Sequence, residues 1–253
     1  MSTSTRRIDH AALFAVLSSL ADNKQAVGRH YAYWCNGAPA LEAAVAAAAM
    51  AQDELGHART LYPLLDNFAQ AEVDVSQIEP ETRTLHYALA YLDDDFQGWS
   101  DFVATNFLFD SALTTFFEAA QQSSYEPLRQ RARKIVQEER IHEMHGEGWV
   151  RRLAKAGGAV RAALVAALER LWDETLCWFG PNDDAAMQQL FREGIIDATP
   201  DELRSRYLKR VMPTLQSLGI EVAASFNGGS KQWEVRGELP WVEWDAVGRR
   251  LRS

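Results

Sequence analysis

Residues 54–57 read Glu-Leu-Gly-His and residues 139–142 read Glu-Arg-Ile-His, so the pattern Glu-x-x-His occurs twice. In an α-helix, residues three positions apart point to the same side, which places each carboxylate next to its imidazole. One such pattern means little, because glutamate is common in helices. Two of them on facing helices, with acids from two further helices, hold a pair of metal ions in one class of four-helix bundle.

Both pairs lie in the middle of an apolar helix face. Around each pair, apolar residues recur at alternating spacings of three and four, the period of a face that points into a core. The segment between the pairs has the same period and turns an aspartate inward. The three faces contain Ala47, Met50, Leu61 and Leu64; Trp99, Val103, Asn106, Leu113 and Phe117; and Leu128, Ala132, Ile135, Gly146, Trp149 and Leu153. The candidate metal ligands on them are Glu54, His57, Asp110, Glu139 and His142.

Three carboxylates buried at one level of a bundle would be very costly without a compensating cation. Carboxylate oxygen and imidazole nitrogen together suit iron or manganese. The sequence therefore predicts that this centre binds metal, with iron as the first expectation and manganese as the second.

The N-terminal helix departs from the pattern at Lys24. Its inward face places this lysine at the level where a fourth acid is expected. A protonated lysine cannot ligate a metal, and its ammonium competes for the same carboxylates. Three carboxylates and one ammonium leave two negative charges, which one divalent ion would neutralise. We therefore expect one tightly bound ion or none, with Lys24 modifying the site.

A metal-free interpretation stays open beside this one. In it, Lys24 and neighbouring arginines pair with Glu54 and Glu139 as a buried polar network. Glu138 and Asp53 precede or flank the candidate ligands, and we interpret them as partners of those ligands or as solvated residues. The pattern assigns no catalytic residue.

Caps, glycines and prolines divide the chain into helices. The bundle helices are predicted over about 9–34, 40–70, 98–121 and 126–155, and a long crossover over 71–97 contains a short helical stretch near 84–92. One long crossover between two helical hairpins is the ferritin-like arrangement. Two more long helices are predicted over 159–179 and 200–218 with a short one between them, followed by a hairpin around the turn at 227–230.

We therefore predict an all-α fold, a ferritin-like four-helix bundle with extra C-terminal helices and a small β-hairpin. Residues 1–253 would form one domain, with a bundle core at about 9–155, a helical extension at 159–218 and a tail at 219–253. In the tail, Trp233, Trp241 and Trp244 are expected to pack on the bundle, although an interface is the alternative.

Composition restricts the partners and the compartment. The chain of 253 residues has a formal net charge of −9, which does not favour nucleic acid. It contains no uninterrupted apolar run of 18 residues and no N-terminal signal pattern, so we expect no membrane association. Its two cysteines, Cys35 and Cys177, have no metal or redox spacing and suit reduced thiols in the cytoplasm.

Several strings found together in this order resemble one family. They are Trp-Cys-Asn-Gly-Ala-Pro at 34–39, Gln-Asp-Glu-Leu-Gly-His at 52–57, Asp110 with Glu-x-x-His at 139–142, Phe-Gly-Pro-Asn-Asp-Asp at 179–184, Asp-Glu-Leu-Arg-Ser-Arg at 201–206, and Gly237-Glu238 with Trp241. Over nearly its whole length, the chain resembles the two related ferritin-like subunits of the bacterial phenylacetyl-CoA ring epoxidase, a multicomponent di-iron monooxygenase.

This resemblance implies an oxygenase subunit in the catabolism of phenylacetate or another aromatic acyl-CoA. The catalytic subunit of that family binds two irons, activates dioxygen with electrons from a separate reductase, and epoxidises the ring of a CoA thioester. Its sister subunit keeps the fold, has lost ligands and acts as a structural partner. An oligomer with a related ferritin-like subunit, or with copies of itself, is therefore expected.

The motifs are mixed between the two types. Residues 52–57, 139–142 and 179–184 are similar to the catalytic type, whereas 21–23 and 34–39 are similar to the structural type. Lys24 stands where the catalytic type has its first glutamate, and Met50 stands where that type is expected to have a lysine. The resemblance thus leaves both roles open, a catalytic subunit or a non-catalytic partner with a degenerate or single-metal site. A metal-storage or oxidase bundle without an organic substrate is a third alternative.

Overall fold

A computed structural model of the chain describes residues 8–71 and 87–252. The bundle consists of α1 (Ala11–Trp34), α2 (Leu41–Leu65), α3 (Trp99–Ala104) continued through a π-helical turn (Thr105–Phe109) into α4 (Asp110–Ala119), and α5 (Glu126–Ala156). Helix α1 packs along α2, and α5 packs on α2, α3 and α4. The predicted ferritin-like bundle is confirmed.

Gly28 brings α1 and α2 close together at the level of the candidate site. A Cβ atom at Gly28 would lie 2.8 Å from Cγ of Leu55 and 3.0 Å from Cβ of Glu54. Only glycine fits this approach without a shift of α2. Lys24, one turn earlier on α1, is thereby held against the carboxylate of Glu54.

The third bundle helix differs from the prediction of a continuous helix over 98–121. The π-helical turn at Thr105–Phe109 adds one residue to a helical turn immediately before Asp110. Such turns are frequent at functional sites. Gly146 of α5 accommodates it, because a Cβ atom there would lie 3.0 Å from Oδ1 of Asn106 and 3.1 Å from Cα of Phe107.

The described part of the crossover is held by polar side chains. The carboxylate of Glu174 accepts hydrogen bonds from the backbone N–H groups of Ala90 and Tyr91, and Oδ1 of Asn23 accepts one from the N–H of Leu89. Within the described residues 87–92, the short helix predicted near 84–92 is present only as a 3₁₀ turn at Ala90–Leu92. Residues 84–86 of that prediction lie outside the described residues.

The C-terminal part covers the bundle from several sides. It comprises α6 (Gly158–Trp178), α7 (Ala185–Arg192), α8 (Pro200–Ser217), the antiparallel pair β1 (Ala224–Asn227) and β2 (Gln232–Val235), and a second antiparallel pair, β3 (Trp244–Asp245) and β4 (Arg250–Leu251). Helix α6 packs on α3 and α5, α7 on α1, and α8 on α4.

The predicted hairpin is present, whereas the second strand pair was not predicted. Trp233 packs against the core, and the guanidinium groups of Arg204 and Arg249 lie over the rings of Trp241 and Trp244. Trp233 and Trp241 thus connect the tail to the core and to α8, as expected, whereas the Arg249 partner of Trp244 lies in the tail itself. Among the described helices, none is long and apolar enough to cross a membrane.

Candidate metal centre

Four of the five predicted ligands meet at one buried point. Glu54 of α2, Asp110 of α4, and Glu139 and His142 of α5 each present a donor atom, and these atoms all lie within 4.8 Å of one another. The four residues are at most 2 % exposed. The carboxylates and the imidazole therefore share one dry space between three helices.

His57, the fifth candidate, lies at the edge of this group. Its Nδ1 atom is 3.3 Å from Oε1 of Glu139, and its Nε2 atom is 2.8 Å from Oε2 of Glu138. It contacts one carboxylate of the centre from the side of α2. The structure thus places His57 next to the four converging donors rather than among them.

Lys24 reaches into the same space from α1. Its Nζ atom donates hydrogen bonds to Oε1 of Glu139 at 2.5 Å and to Glu54 at 2.9 Å, and it lies 3.4 Å from Oδ1 of Asp110. The side chain is fully buried. One ammonium therefore contacts all three carboxylates of the centre.

Charge determines the protonation states in this dry space. Burial alone would lower the pKa of Lys24, but Glu139, Glu54 and Asp110 raise it above its ordinary value. Burial alone would also lower the pKa of His142, but Glu139, Asp110 and Glu54 raise it above its ordinary value. Lys24 is therefore charged at neutral pH, and His142 holds a proton in the metal-free chain.

The pKa values of the two glutamates shift in opposite directions. Burial and the nearby charge of Asp110 raise the pKa of Glu54 to about 7. Burial acts in the same direction on Glu139, but Lys24 and His142 outweigh it and hold its pKa well below the usual range. The closer contact of Lys24 with Glu139 than with Glu54 agrees with this difference.

Further side chains orient the centre from outside. Nε2 of His142 lies 3.3 Å from Oδ2 of Asp53, which mirrors the contact of His57 with Glu138. The hydroxyl of Tyr31 donates to Oδ2 of Asp110 at 3.0 Å, and Nδ2 of Asn106 donates to the same oxygen at 3.2 Å. Asp53 and Glu138 therefore have the role of histidine partners, one of the two interpretations given above.

Tyr31 and Asn106 were not assigned from the sequence. Both occupy inward positions of predicted helix faces, which is the only sequence signal that could have singled them out. His145 supports Asn106, because its Nδ1 lies 3.0 Å from Oδ1 of that amide. Burial and the charge of His142 lower the pKa of His145 to about 4, so its ring is neutral.

The donor set fits one divalent ion. Nδ1 of His142 is buried 3.1 Å from Oε1 of Glu54 and 3.3 Å from Oε2 of Glu139, so this nitrogen and the carboxylate oxygens point into one space. Carboxylate oxygen with neutral imidazole nitrogen is a combination that suits iron or manganese. One divalent ion would also balance three carboxylates and one ammonium. At the position on α1 where a further acid would be needed for a second ion, the chain has the ammonium of Lys24.

Comparison with known proteins gives concordant matches. A family model described as "Phenylacetic acid catabolic protein" matches residues 2–241. The A component of the 1,2-phenylacetyl-CoA epoxidase of Escherichia coli (strain K12) is 29 % identical over 219 residues, which cover 85 % of this chain and 70 % of that component. The C component of the same epoxidase is 24 % identical over 224 residues, covering 87 % of this chain and 88 % of that component.

Proposed function

The chain belongs to the phenylacetic acid catabolic protein family, and on that premise we propose that it is a subunit of a multicomponent, dioxygen-dependent monooxygenase of the phenylacetyl-CoA epoxidase type. The substrate class is an aromatic acyl-CoA, and electrons come from a separate reductase. A related ferritin-like subunit is the expected partner in the complex. The free thiols of Cys35 and Cys177 suit the cytoplasm.

The observation that supports this proposal is the convergence of Glu54, Asp110, Glu139 and His142 from three helices. We propose that these residues hold one iron ion, with manganese as the alternative. Bound iron would supply the activation of dioxygen. The role of Lys24 is to carry the positive charge that a second ion would otherwise bring, and to keep Glu139 ionised.

A second candidate function is a non-catalytic partner subunit whose centre only stabilises the bundle. One observation favours it, the contact of Lys24 Nζ with all three carboxylates. In this role, the ammonium satisfies the buried acids and no metal is required. The position of the chain in an epoxidase-type complex is the same under both candidates.

Measurements of iron content and oxygen consumption distinguish the oxygenase subunit from the non-catalytic partner. The full chain is loaded anaerobically with Fe(II), and bound iron is counted per chain. Oxygen uptake is then followed with phenylacetyl-CoA and a separate reductase. About one iron per chain with uptake that depends on the acyl-CoA supports the oxygenase subunit, whereas no bound iron and no uptake supports the partner role. Two irons per chain would contradict the single-ion centre.

The variant Lys24→Glu sharpens this test. It supplies the missing acid of the four-helix pattern, so the site would have the donors for two ions. We expect iron binding to rise toward two ions per chain. An unchanged iron content in a folded variant would show that Lys24 does not limit the site.

A further inference from the structure

A groove on the surface of the protein lies between α4, α5 and α8, outside the candidate metal centre. Its volume of about 370 Å³ is within the range of small-ligand sites. Although the chain has a net charge of −9, four of the side chains that line this groove are cations. They are Arg140 of α5 and Arg206, Lys209 and Arg210 of α8. We call this feature the α4–α5–α8 groove.

Arg210 holds the three helices of the groove together. Its Nη2 atom donates to Oε2 of Glu118 on α4 at 2.6 Å, and its Nη1 atom donates to Oε1 of Glu143 on α5 at 3.2 Å. Glu118 and Glu143 are the acids that line the groove. One guanidinium therefore satisfies both of them, and the other cations of the groove gain no charge compensation from its lining.

Arg140 and Lys209 have no partner among the described residues. Both side chains are exposed, and neither makes an ion pair or a hydrogen bond within 8–71 and 87–252. Arg206 donates to Oδ1 of Asp197 at 2.6 Å. Arg206 and Lys209 lie three residues apart, on the same side of α8, where like charges repel each other. A bound anion would remove this repulsion and balance the two unpaired charges.

Thr114 adds a hydroxyl to the same groove. Its side chain lines the groove, although the residue is only 5 % exposed. The next residue of α4, Thr115, donates its hydroxyl to the C=O of Ser111 at 2.7 Å, a common arrangement for threonine in a helix. The hydroxyl of Thr114 makes no hydrogen bond to any residue that the structure describes. A nearly buried hydroxyl without a partner is unfavourable, and an oxygen of a ligand in the groove would supply the acceptor.

We propose that the α4–α5–α8 groove binds a phosphate group, either free phosphate or the phosphate of a nucleotide. Arg140 and Lys209 supply the positive charge, and the hydroxyl of Thr114 donates a hydrogen bond. A guanidinium contacts two phosphate oxygens at once, whereas an ammonium acts as a point charge. None of these three residues is a candidate metal ligand, so this inference does not rest on the proposed function.

A phosphate fits these donors better than a carboxylate does. A phosphate group carries a charge of about −1.5 to −2 at pH 7 and has three strong acceptor oxygens. The two unpaired cations match that charge, and Arg140, Lys209 and Thr114 approach the groove from three helices. A carboxylate has one negative charge and two oxygens in one plane, so it would leave a cation or the hydroxyl without a partner.

Binding should also stabilise the folded chain. Thr114, Arg140 and Lys209 belong to α4, α5 and α8, so a ligand that contacts all three links these helices. The unfolded chain lacks this arrangement, and a ligand of the folded state alone raises stability as its concentration rises. Thermal unfolding over a phosphate series therefore gives a second measurement beside direct binding.

Isothermal titration of the metal-free full chain with inorganic phosphate, in a Tris chloride buffer of low ionic strength, tests the site. We expect saturable binding of one phosphate per chain. Arg140→Met, Lys209→Met and Thr114→Val should each weaken it about tenfold, which corresponds to about 1.4 kcal/mol, close to the lower limit for a hydrogen bond to a charged group. Thr114→Val keeps the shape of the side chain and loses no hydrogen bond within the described residues, so the variant should fold normally, which circular dichroism verifies.

Lys155→Met is the matched control, because Lys155 is an exposed cation at the other end of α5. It should bind phosphate as the wild type does. A parallel titration with ADP identifies the source of the phosphate: tighter binding than inorganic phosphate, still dependent on Arg140, indicates a nucleotide, and equal binding indicates free phosphate. No saturable binding of either probe, or equal losses in the Lys155 and Lys209 variants, overturns the proposal. These outcomes are independent of iron content and oxygen uptake.

Discussion

The Nζ atom of Lys24 lies 2.5 Å from Oε1 of Glu139, deep in a space that is closed to solvent. This pair joins the first helix of the bundle to the last across the centre. Neither charge has water to stabilise it, so each depends on the other and on the acids beside them. The ammonium of Lys24 therefore supplies the positive charge that stabilises three carboxylates in the interior.

Replacing Lys24 by methionine should destabilise the metal-free chain strongly. The substitution keeps the length of the side chain but leaves three buried carboxylates without their ammonium, and loss of one partner of a buried pair costs about 3–5 kcal/mol. Urea unfolding in EDTA measures the loss. Added Fe(II) or Mn(II) should recover part of it, since a divalent ion replaces the missing charge.

Lys134→Met is the control for this change. Lys134 lies on α5 with its side chain 70 % exposed, 3.6 Å from Glu138. Exposed pairs of this kind contribute about 0–1 kcal/mol. Equal losses for the two variants would mean that Lys24 has no special electrostatic role.

The stability of the metal-free chain should fall as pH rises above neutrality. The pKa of His142 is raised, so the folded chain keeps a proton that the unfolded chain loses above about pH 6.5. The pKa of Glu54 is raised to about 7, so Glu54 also lowers the stability of the folded chain as pH rises from about 4.5 to 7. The pKa of His145 is lowered to about 4, so His145 makes stability rise with pH, but only between about pH 4 and 6.5.

Unfolding by urea in EDTA between pH 6.5 and 9 measures the joint contribution of His142 and His57, because contacts with Glu139 raise the pKa of both imidazoles although burial opposes this. A single proton gives a slope of up to about 1.4 kcal/mol per pH unit. His142→Gln should reduce this slope by up to the share of one proton, while His145→Gln should leave it in place because His145 is already neutral in this range. A wild-type chain that becomes more stable toward pH 9 would contradict the protonated state of His142.

The sequence predicts the convergence of the centre because helical periodicity is a local property. The spacing around Glu54, Asp110 and Glu139 was enough to place all three inside the bundle. It could not distinguish His142 from His57, which have the same spacing from their glutamates. Which imidazole enters the centre depends on how α2 and α5 rotate against each other, and that is a tertiary property.

The π-helical turn before Asp110 was beyond prediction for a similar reason. It depends on the close approach of Asn106 and Phe107 to Gly146, more than thirty residues away. Nothing in the local sequence at 105–109 distinguishes it from an ordinary helix. The role of Tyr31 likewise requires the position of Asp110 on another helix, although its inward direction was predictable.

Gly146→Ala should destabilise the chain by about 1–3 kcal/mol, the usual effect of overpacking. The new methyl group would meet the backbone of the π-helical turn, which cannot move away as a side-chain end can. Gly148→Ala is the control in the same helix, with open space around its Cβ position. It should be neutral or stabilise by up to about 1 kcal/mol through helix propensity. Chemical denaturation of both variants measures the difference, and similar effects would contradict the close packing at Gly146.

Loss of the hydroxyl should change the free energy of unfolding differently at two fully buried tyrosines, Tyr31 and Tyr207. Tyr31 donates to the carboxylate of Asp110, and hydrogen bonds to charged groups contribute about 1.5–3 kcal/mol. Tyr31→Phe should therefore lower the free energy of unfolding by about that amount. The hydroxyl of Tyr207 makes no hydrogen bond within the described residues. Tyr207→Phe should be neutral or stabilising, since it removes a buried polar group without a partner.

The comparison of these two variants separates hydrogen bonding from packing. Both side chains are 0 % exposed, and both substitutions leave the ring in place. Urea unfolding at pH 6.5 in EDTA compares them under one set of conditions. An equal loss for the two would show that the Tyr31 hydroxyl does not stabilise Asp110. A loss at Tyr31 alone would identify this hydroxyl as a support of the Asp110 side chain, which Tyr31, Asn106 and Lys24 all approach.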